Sequence, residues 1–361
     1  MINSTDTTET IPIVQVVGND HSPTPELDAL SVKPQKRYVF IRSIGFGGMK
    51  AVLLVHDAET DRDVAMALMP DFRERPRQDL ESFVHEAKLT AKLEHPNIVP
   101  VYDIGIDSSG SPYFVMKYLR GMPLDALLRR IASGDVEATK YTLDRLLMIY
   151  LRVCNAVDFA HSRQICHLDL KPGNVNIGDF GEVYVLDWGL AQLMDKTGQV
   201  PPFSHTRGTP GFVAPECFNH NAPVGRRADI FALGGLLYSI LALQTPLAGL
   251  ASPEVFRRTG RGEIPPPSAV APESWHVPAA LEAVAMKALS PDPAKRYATV
   301  AEIKAEIRAF NSGYASRAEN ATRLRKLGLF FRRNRLWVAI VLLTAGLIYF
   351  AIQYYLLARG Q

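Results

Sequence analysis

Apolar positions along the chain repeat with two periods, and the change between them divides it. In the first third, β-branched and aromatic residues run through Tyr38 to Ile44 and Ala51 to His56, then through Val64-Ala65-Met66-Ala67 and Tyr113-Phe114-Val115-Met116. Such runs predict strands, the last of them buried. One helical stretch interrupts them: Phe83-Val84-His85-Glu86-Ala87-Lys88-Leu89 to Leu93, which ends before Pro96 and leads into a strand. Beyond residue 120 the period becomes helical. Leu143 to His161 reads as a buried helix, Asp229-Ile230-Phe231-Ala232-Leu233-Gly234 opens an apolar one, and Ala301 to Phe310 closes the series. The pattern predicts an α+β chain, with a small strand-rich unit at 36–119 and a larger helical unit at 120–312.

The two ends differ from this middle. Residues 1–35 are rich in Ser, Thr, Asp and Pro, with Ser22-Pro23-Thr24-Pro25 at the centre, and offer little burial to offset ordering entropy. A disordered tail is expected there. At the other end, Leu336 to Leu357 holds 22 residues without a formal charge. At about 1.5 Å per residue such a helix crosses a hydrocarbon core of roughly 30 Å. Trp337 lies near one end, and Tyr349, Tyr354 and Tyr355 toward the other, as interface anchors do. The plain alternative is a buried helix of a soluble domain.

A basic linker, 313–335, precedes this stretch. It contains Arg323, Arg325, Lys326, Arg332, Arg333 and Arg335, whereas only Arg359 lies beyond, in a short tail at 358–361. The positive-inside rule then predicts a single-pass transmembrane helix at 336–357 in the cell membrane. The preceding residues would be cytoplasmic, and the linker would lie against anionic lipid. Little is left beyond the helix to sense an external ligand.

Composition adjusts this picture only slightly. The 361 residues are 47% hydrophobic, enough for a sizeable core, and the formal net charge of +3 gives no argument for nucleic acid. Cys154, Cys166 and Cys217 form no C-x-x-C pair. So sparse and odd a set points to a reducing compartment and to buried small hydrophobes. Met1 to Thr10 is polar and acidic, unlike a signal peptide.

The chemistry lies in three places. Gly45-Phe46-Gly47-Gly48-Met49-Lys50 joins the first two strands, and a glycine tip lets backbone N–H groups approach phosphates. Ile165-Cys166-His167-Leu168-Asp169-Leu170-Lys171-Pro172-Gly173-Asn174 sets an acid, a lysine and an amide at short spacings. Val185-Leu186-Asp187-Trp188-Gly189 adds a second acid. Together these segments resemble the glycine loop, the catalytic loop (H-x-D-x-K-x-x-N) and the D-F-G segment of protein kinases, in kinase order. Gly208-Thr209-Pro210-Gly211-Phe212-Val213-Ala214-Pro215-Glu216 is similar to the substrate-docking loop and A-P-E end. Pro291-Asp292-Pro293-Ala294-Lys295-Arg296 is similar to a late kinase motif. The resemblance covers residues 36 to about 312.

That resemblance implies a two-lobed protein-kinase fold, with ATP and Mg²⁺ as cofactors and proteins carrying Ser or Thr as substrates. D-L-K-P-x-N is the serine/threonine form of the catalytic loop. Asp169 is implied as the base, Lys171 as a charge on the moving phosphate, and Asn174 and Asp187 as metal ligands. Gly45, Gly47, Gly48, Val52, Ala65, Glu86, Met116 and Leu119 are implied to form the ATP site. Leu119 would bond adenine through its backbone, and Met116 would guard the back of the pocket. Thr209 is implied in substrate docking, near Asp169 and Lys171. His167, Glu216, Asp229 and Arg296 are implied as structural, with Arg296 pairing Glu216 and Asp229 anchoring the catalytic loop. The architecture resembles bacterial membrane-tethered Ser/Thr kinases, for which a homodimer is a candidate assembly.

Several positions depart from the family pattern. Ala67 occupies the place of the ATP-binding lysine, and Lys50 the place of the third loop glycine. With-no-lysine kinases show this exchange, which implies that Lys50 supplies the missing ammonium and pairs with Glu86. The alternative is a damaged site in a pseudokinase scaffold that binds partners at the membrane without phosphoryl transfer. Phosphotransfer to a small molecule is disfavoured by the docking motif around Thr209. Leu168 replaces the H-R-D arginine, so activation-loop phosphorylation is not expected to be the switch. Asn176 puts an amide where an apolar residue floors the adenine pocket, and Trp188 replaces the D-F-G phenylalanine. Leu190 to Arg207 is polar and predicts a mobile activation loop, with Thr197, Ser204 and Thr206 as candidate phosphosites.

Overall fold

In the computed structural model the described residues are 37–46, 50–107, 109–201, 208–218, 222–319 and 322–359. The side chains of Phe46, 323–326, 332, 335 and 353–359 are also outside that set. The expected tail at 1–35, Gly47, Gly48, Ser204 and Thr206 therefore lie outside the described residues.

The strand-period segment forms one antiparallel five-stranded sheet, in the order β1-β2-β3-β5-β4. Its members are β1 (Tyr38–Phe46), β2 (Ala51–Asp57), β3 (Arg62–Leu68), β4 (Val101–Ile106) and β5 (Pro112–Lys117). Alternation along the strands gives two apolar faces. Leu53, Val55, Val64, Tyr113 and Val115 pack on one, with Tyr38 and Phe40. Ala67, Met69 and Phe114 pack on the other, against Phe83 and Ala87 of α1 (Arg77–Ala91). This helix starts six residues before the predicted Phe83. None of residues 77–82 is buried, so no apolar period marks that first stretch.

The larger lobe is helical: α2 (Leu124–Ala132), α3 (Leu143–Ser162), α4 (Arg226–Ala242), α5 (Ser252–Arg261), α6 (Ala279–Ala288) and α7 (Val300–Asn311). Thr142 and Thr299 cap α3 and α7, each hydroxyl accepting a backbone N–H from three residues on. Every residue of α4 from Ala228 to Ala242 is buried, which is why its sequence is apolar all round. Leu146, Leu147, Val153 and Val157 of α3, Leu233, Leu236 and Leu237 of α4, and Leu281, Ile303 and Ile307 share the main core. Cys154, Cys166 and Cys217 are free and buried, as expected.

Five short strands frame the interlobe side: β6 (Met122–Pro123), β7 (Ile165–Cys166), β8 (Val175–Ile177), β9 (Val183–Val185) and β10 (Gln192–Leu193). They pair as β6-β8-β9 and β10-β7. The lobes meet where Val185 N–H donates to Asn97 O at 2.8 Å and Asn97 Nδ2 donates to Val183 O at 3.0 Å.

Two expectations change here. Residues 190–201 of the expected mobile loop are held by backbone bonds: β10 pairs with β7, and Val200 N–H donates to Val224 O at 2.9 Å. The Asp195 carboxylate closes a turn, accepting from Thr197 N at 2.8 Å, Thr197 Oγ1 at 2.6 Å and Gln199 N at 3.1 Å. Polar composition there encodes a hydrogen-bonded turn. At the C-terminus, α8 (Arg323–Arg333) is followed by α9 (Arg335–Arg359). Among the described residues no helix is long and apolar enough to cross a membrane, in contrast to the span expected at 336–357.

Candidate active site

The loop between β7 and β8 is shaped by a carboxylate beneath it. Asp229, in the first turn of α4, is fully buried. It accepts His167 N–H at 2.8 Å and Leu168 N–H at 2.9 Å. His161 Nε2 lies 2.7 Å from the same carboxylate. Burial pushes the Asp229 carboxyl up, but the hydrogen bonds from His161 and the Leu168 N–H outweigh it and hold it low. With its backbone so pinned, Leu168 adopts a left-handed φ of 65°, a conformation that costs a non-glycine residue about 1–2 kcal/mol. The Leu168 side chain packs against the apolar cluster of Met194, Val200 and Val213, where an arginine would find no such partners.

His167 is itself buried. Its Nδ1 accepts Asp169 N–H at 3.3 Å, and its Nε2 donates to Leu186 O at 3.1 Å. Its ring meets Trp188 at a centroid distance of 4.5 Å. The catalytic loop and the segment holding Asp187 are thus tied together through one imidazole.

Above this base, four predicted residues form a closed network. Lys171 Nζ donates to Asp169 Oδ2 at 2.9 Å and to Thr209 Oγ1 at 2.8 Å, while Thr209 Oγ1 donates to Asp169 Oδ1 at 3.1 Å. Asn174 Nδ2 donates to Asp169 O at 2.8 Å and Oδ2 at 3.2 Å. That leaves the Asn174 amide oxygen as an acceptor. Paired with the Asp187 carboxylate it makes an oxygen-only donor set, the kind a hard divalent cation takes. The residues present therefore fit Mg²⁺.

The cation of the small lobe follows from strand geometry. Lys50 immediately precedes β2, so it and Val52 point to the same face, and Val52 lies directly opposite Ala67 in the β2–β3 register. Lys50 thus projects on the face where the third strand carries only a methyl group. Its Nζ lies 2.5 Å from Glu86 Oε1 on α1 and 3.0 Å from Asp187 Oδ1. Burial pulls the Lys50 pKa down, but Glu86 and Asp187 outweigh it and raise it. Burial drives the Asp187 carboxyl up, and Lys50 more than reverses this, leaving it low. Glu86 is pushed up by burial despite Lys50. One ammonium thus faces two acids, an excess suited to a further cation. Gly189 makes room for the cluster. A Cβ there would lie 3.0 Å from Glu86 Oε2 and 3.3 Å from Asp187 Oδ1.

Ala67 itself is fully buried among Met69, Phe83, Ala87 and Phe114. Ala65 pairs with Met116, so Val52, Ala65, Ala67 and Met116 share the face toward the cleft. Gly45 is opposite Val52, and a Cβ there would make ordinary contact at 3.9 Å, so room within the sheet does not require this glycine. Leu119 is half-buried just past β5. The doubtful amide of Asn176 is occupied, its Nδ2 donating to Arg120 O at 3.2 Å. Arg296 and Glu216 form a buried fork at 2.7 and 2.8 Å. Arg296 also donates to the carbonyls of Ser290, Pro291 and Arg227.

Sequence reasoning missed His161, the third partner of Asp229, and the capping role of Asp195. A histidine at the inner end of a helix otherwise apolar on that face is the signal for the first. Asp-x-Thr-Gly is the signal for the second.

Comparison with known proteins identifies the family. The family described as the protein kinase domain matches residues 38–306. Serine/threonine-protein kinase PknD of Chlamydia felis is 36% identical over 299 residues, covering 75% of this chain and 31% of the relative. The PknD of Chlamydia trachomatis serovar D is 31% identical over 323 residues, covering 81% and 33%. That of Protochlamydia amoebophila is 33% identical over 298, covering 76% and 30%. The chain spans about a third of the length of these curated relatives. With the matched residues enclosing every group from the Lys50–Glu86 pair to the Arg296–Glu216 fork, this chain belongs to the protein kinase family.

Proposed function

We propose that this chain is an ATP- and magnesium-dependent serine/threonine protein kinase in which Lys50 replaces the absent third-strand lysine. The observation that carries the reading is the Lys50 ammonium within 2.5 Å of Glu86 and 3.0 Å of Asp187, beside a buried Ala67. The names of its relatives support the substrate class.

In this reading the hydroxyl oxygen of a Ser or Thr forms a bond to the γ-phosphorus of ATP, and the bond from that phosphorus to the β,γ-bridging oxygen breaks. The hydroxyl proton passes to the Asp169 carboxylate. Lys171, already bonded to Asp169 and Thr209, meets the charge on the transferring group, and Thr209 sets where the substrate hydroxyl approaches. Lys50 holds the phosphates from above, kept in place by Glu86. Asn174 and Asp187 would hold Mg²⁺, which when bound neutralises phosphate oxygens. Val52, Ala65 and Met116 line the adenine side, with the Leu119 backbone as its hydrogen-bonding partner.

The reading extends to localisation. α9 presents Leu336, Trp337, Leu342, Leu343 and Phe350 to its surroundings, each more than 60% exposed, and carries no charge from Leu336 to Leu357. A single-pass tether in the cell membrane, with the kinase on the cytoplasmic side, explains that exposure.

The test is phosphoryl transfer from labelled ATP to a generic Ser/Thr protein substrate, comparing wild type with Asp169→Asn. A wild-type protein without transfer or ATP binding would instead be a scaffold at the membrane.

A further inference from the structure

The helix between kinase and tether, α8, carries five basic residues and no acid. At helical spacing Leu324, Leu327, Phe330 and Phe331 share one side, with Arg323 at its N-terminal edge, whereas Arg325, Lys326, Arg332 and Arg333 fall on the other. Leu329 falls among the basic residues and is half-buried. The apolar face is uncovered: Leu327 is 52% exposed, and Phe330 and Phe331 are each 48% exposed.

Both flanks of this helix are fixed. Ahead of it, Ser316 is buried and its hydroxyl donates to Ala280 O, while Arg317 N–H donates to Glu306 Oε2 at 2.6 Å. The chain is therefore docked on the large lobe up to this point. At its far end, the Arg333 guanidinium lies 3.9 Å over the Tyr314 ring, returning the helix to that same lobe. Immediately beyond, α9 begins with exposed Leu336 and Trp337.

We propose that α8 lies in the plane of an anionic bilayer leaflet. Its Leu327–Phe330–Phe331 face enters the acyl boundary, and its basic face meets the lipid phosphates. Through the Arg333–Tyr314 stack it holds the base of the large lobe at the surface. This rests on the tether reading and adds to it an orientation. Charge complementarity selects the occupant, because five cations without an acid fit a sheet of phosphates. Continuity with α9 places the same helix beside the point where the chain would enter the bilayer. A helix with one phenylalanine- and leucine-bearing face and one basic face partitions this way.

The experiment labels full-length Phe330→Cys with an environment-sensitive fluorophore. The three native thiols are buried and react slowly, burial pushing Cys154 and Cys217 up to about 12. The protein is reconstituted into vesicles of mixed phosphatidylglycerol and phosphatidylcholine, and separately of phosphatidylcholine alone. The expected result is a blue-shifted label protected from iodide only in the anionic vesicles. Adding Arg325→Gln, Lys326→Gln and Arg332→Gln to the labelled chain should return the label to water.

A label open to iodide in anionic vesicles that still float with the chain overturns the in-plane helix and leaves the tether standing. Equal protection in neutral vesicles means that something other than lipid charge covers the face, a second copy of the chain included, and also overturns it. A chain that does not float with either vesicle overturns the tether reading, and the inference with it.

Discussion

Replacing Lys50 with methionine tests the site at its most unusual point. The side chains are similar in length, so the change removes a charge and two hydrogen bonds while keeping most of the bulk. Two effects follow with different sizes. For stability, the loss is a charge-assisted bond to Glu86, worth about 1.5–3 kcal/mol in a largely buried setting. Part of this is offset, because burial already pushes the Glu86 carboxyl up and lets it take a proton. For catalysis, removing one preorganised donor from a charge-developing site costs about 10²–10³ in rate, or roughly 3–4 kcal/mol. The folded protein should therefore lose about two to three orders of magnitude in kcat/KM and only a few degrees in Tm. Initial rates with labelled ATP, beside a melting curve, separate the two. Wild-type kcat/KM in Lys50→Met would refute the reasoning, since Ala67 supplies no charge.

The complementary change, Ala67→Lys on a Lys50→Gly background, should recover only part of the rate. Position 67 is fully buried among Met69, Phe83, Ala87 and Phe114, and overpacking there costs about 1–3 kcal/mol; complete recovery with unchanged Tm would show that packing is no obstacle. Glu216→Gln should lower stability by about 3–5 kcal/mol, read as a urea midpoint, by stranding the buried Arg296 charge; the double change Glu216→Leu with Arg296→Met should cost less than the two single changes added. The Arg37 hydrogen bond pulls Asp57 down to about 2. Because the folded pKa is depressed, this pair's stabilisation is complete above the ordinary carboxylate value and fades as pH falls toward about 2; Asp57→Asn should flatten the acid limb of a urea-midpoint profile. Thr197→Glu should not activate the kinase, as its carboxylate would face Asp195 with no arginine at 168 to receive it; a rate increase in the transfer assay would contradict this.

The chemical centre was readable because its residues sit close together in sequence. Asp169, Lys171 and Asn174 lie within one loop, and the loop's own turn brings them into contact. Lys50 was readable for a different reason, the resemblance to with-no-lysine kinases; the register that puts residues 50, 52 and 67 on one face came only with the structure. What sequence left open depends on contacts between distant elements. The Asn176 amide finds Arg120 O across 56 residues, and His161 finds Asp229 across 68. A buried histidine at the end of α3 can be suspected from its helix, but in neither case do neighbouring residues name the partner. The first stretch of α1 was also hidden, because Leu80 is its one apolar residue against the core and a single contact makes no period.

The placement of Lys50 has a mechanical corollary. A lysine in the middle of β3 would be braced by strands on both sides. Lys50 is attached one residue before β2 begins, so it is anchored by a strand on one side only. The β2–β3 register therefore sets both the sheet pairing and the reach of the ammonium to Glu86, and a slip of one residue in that register would turn the charge to the opposite face.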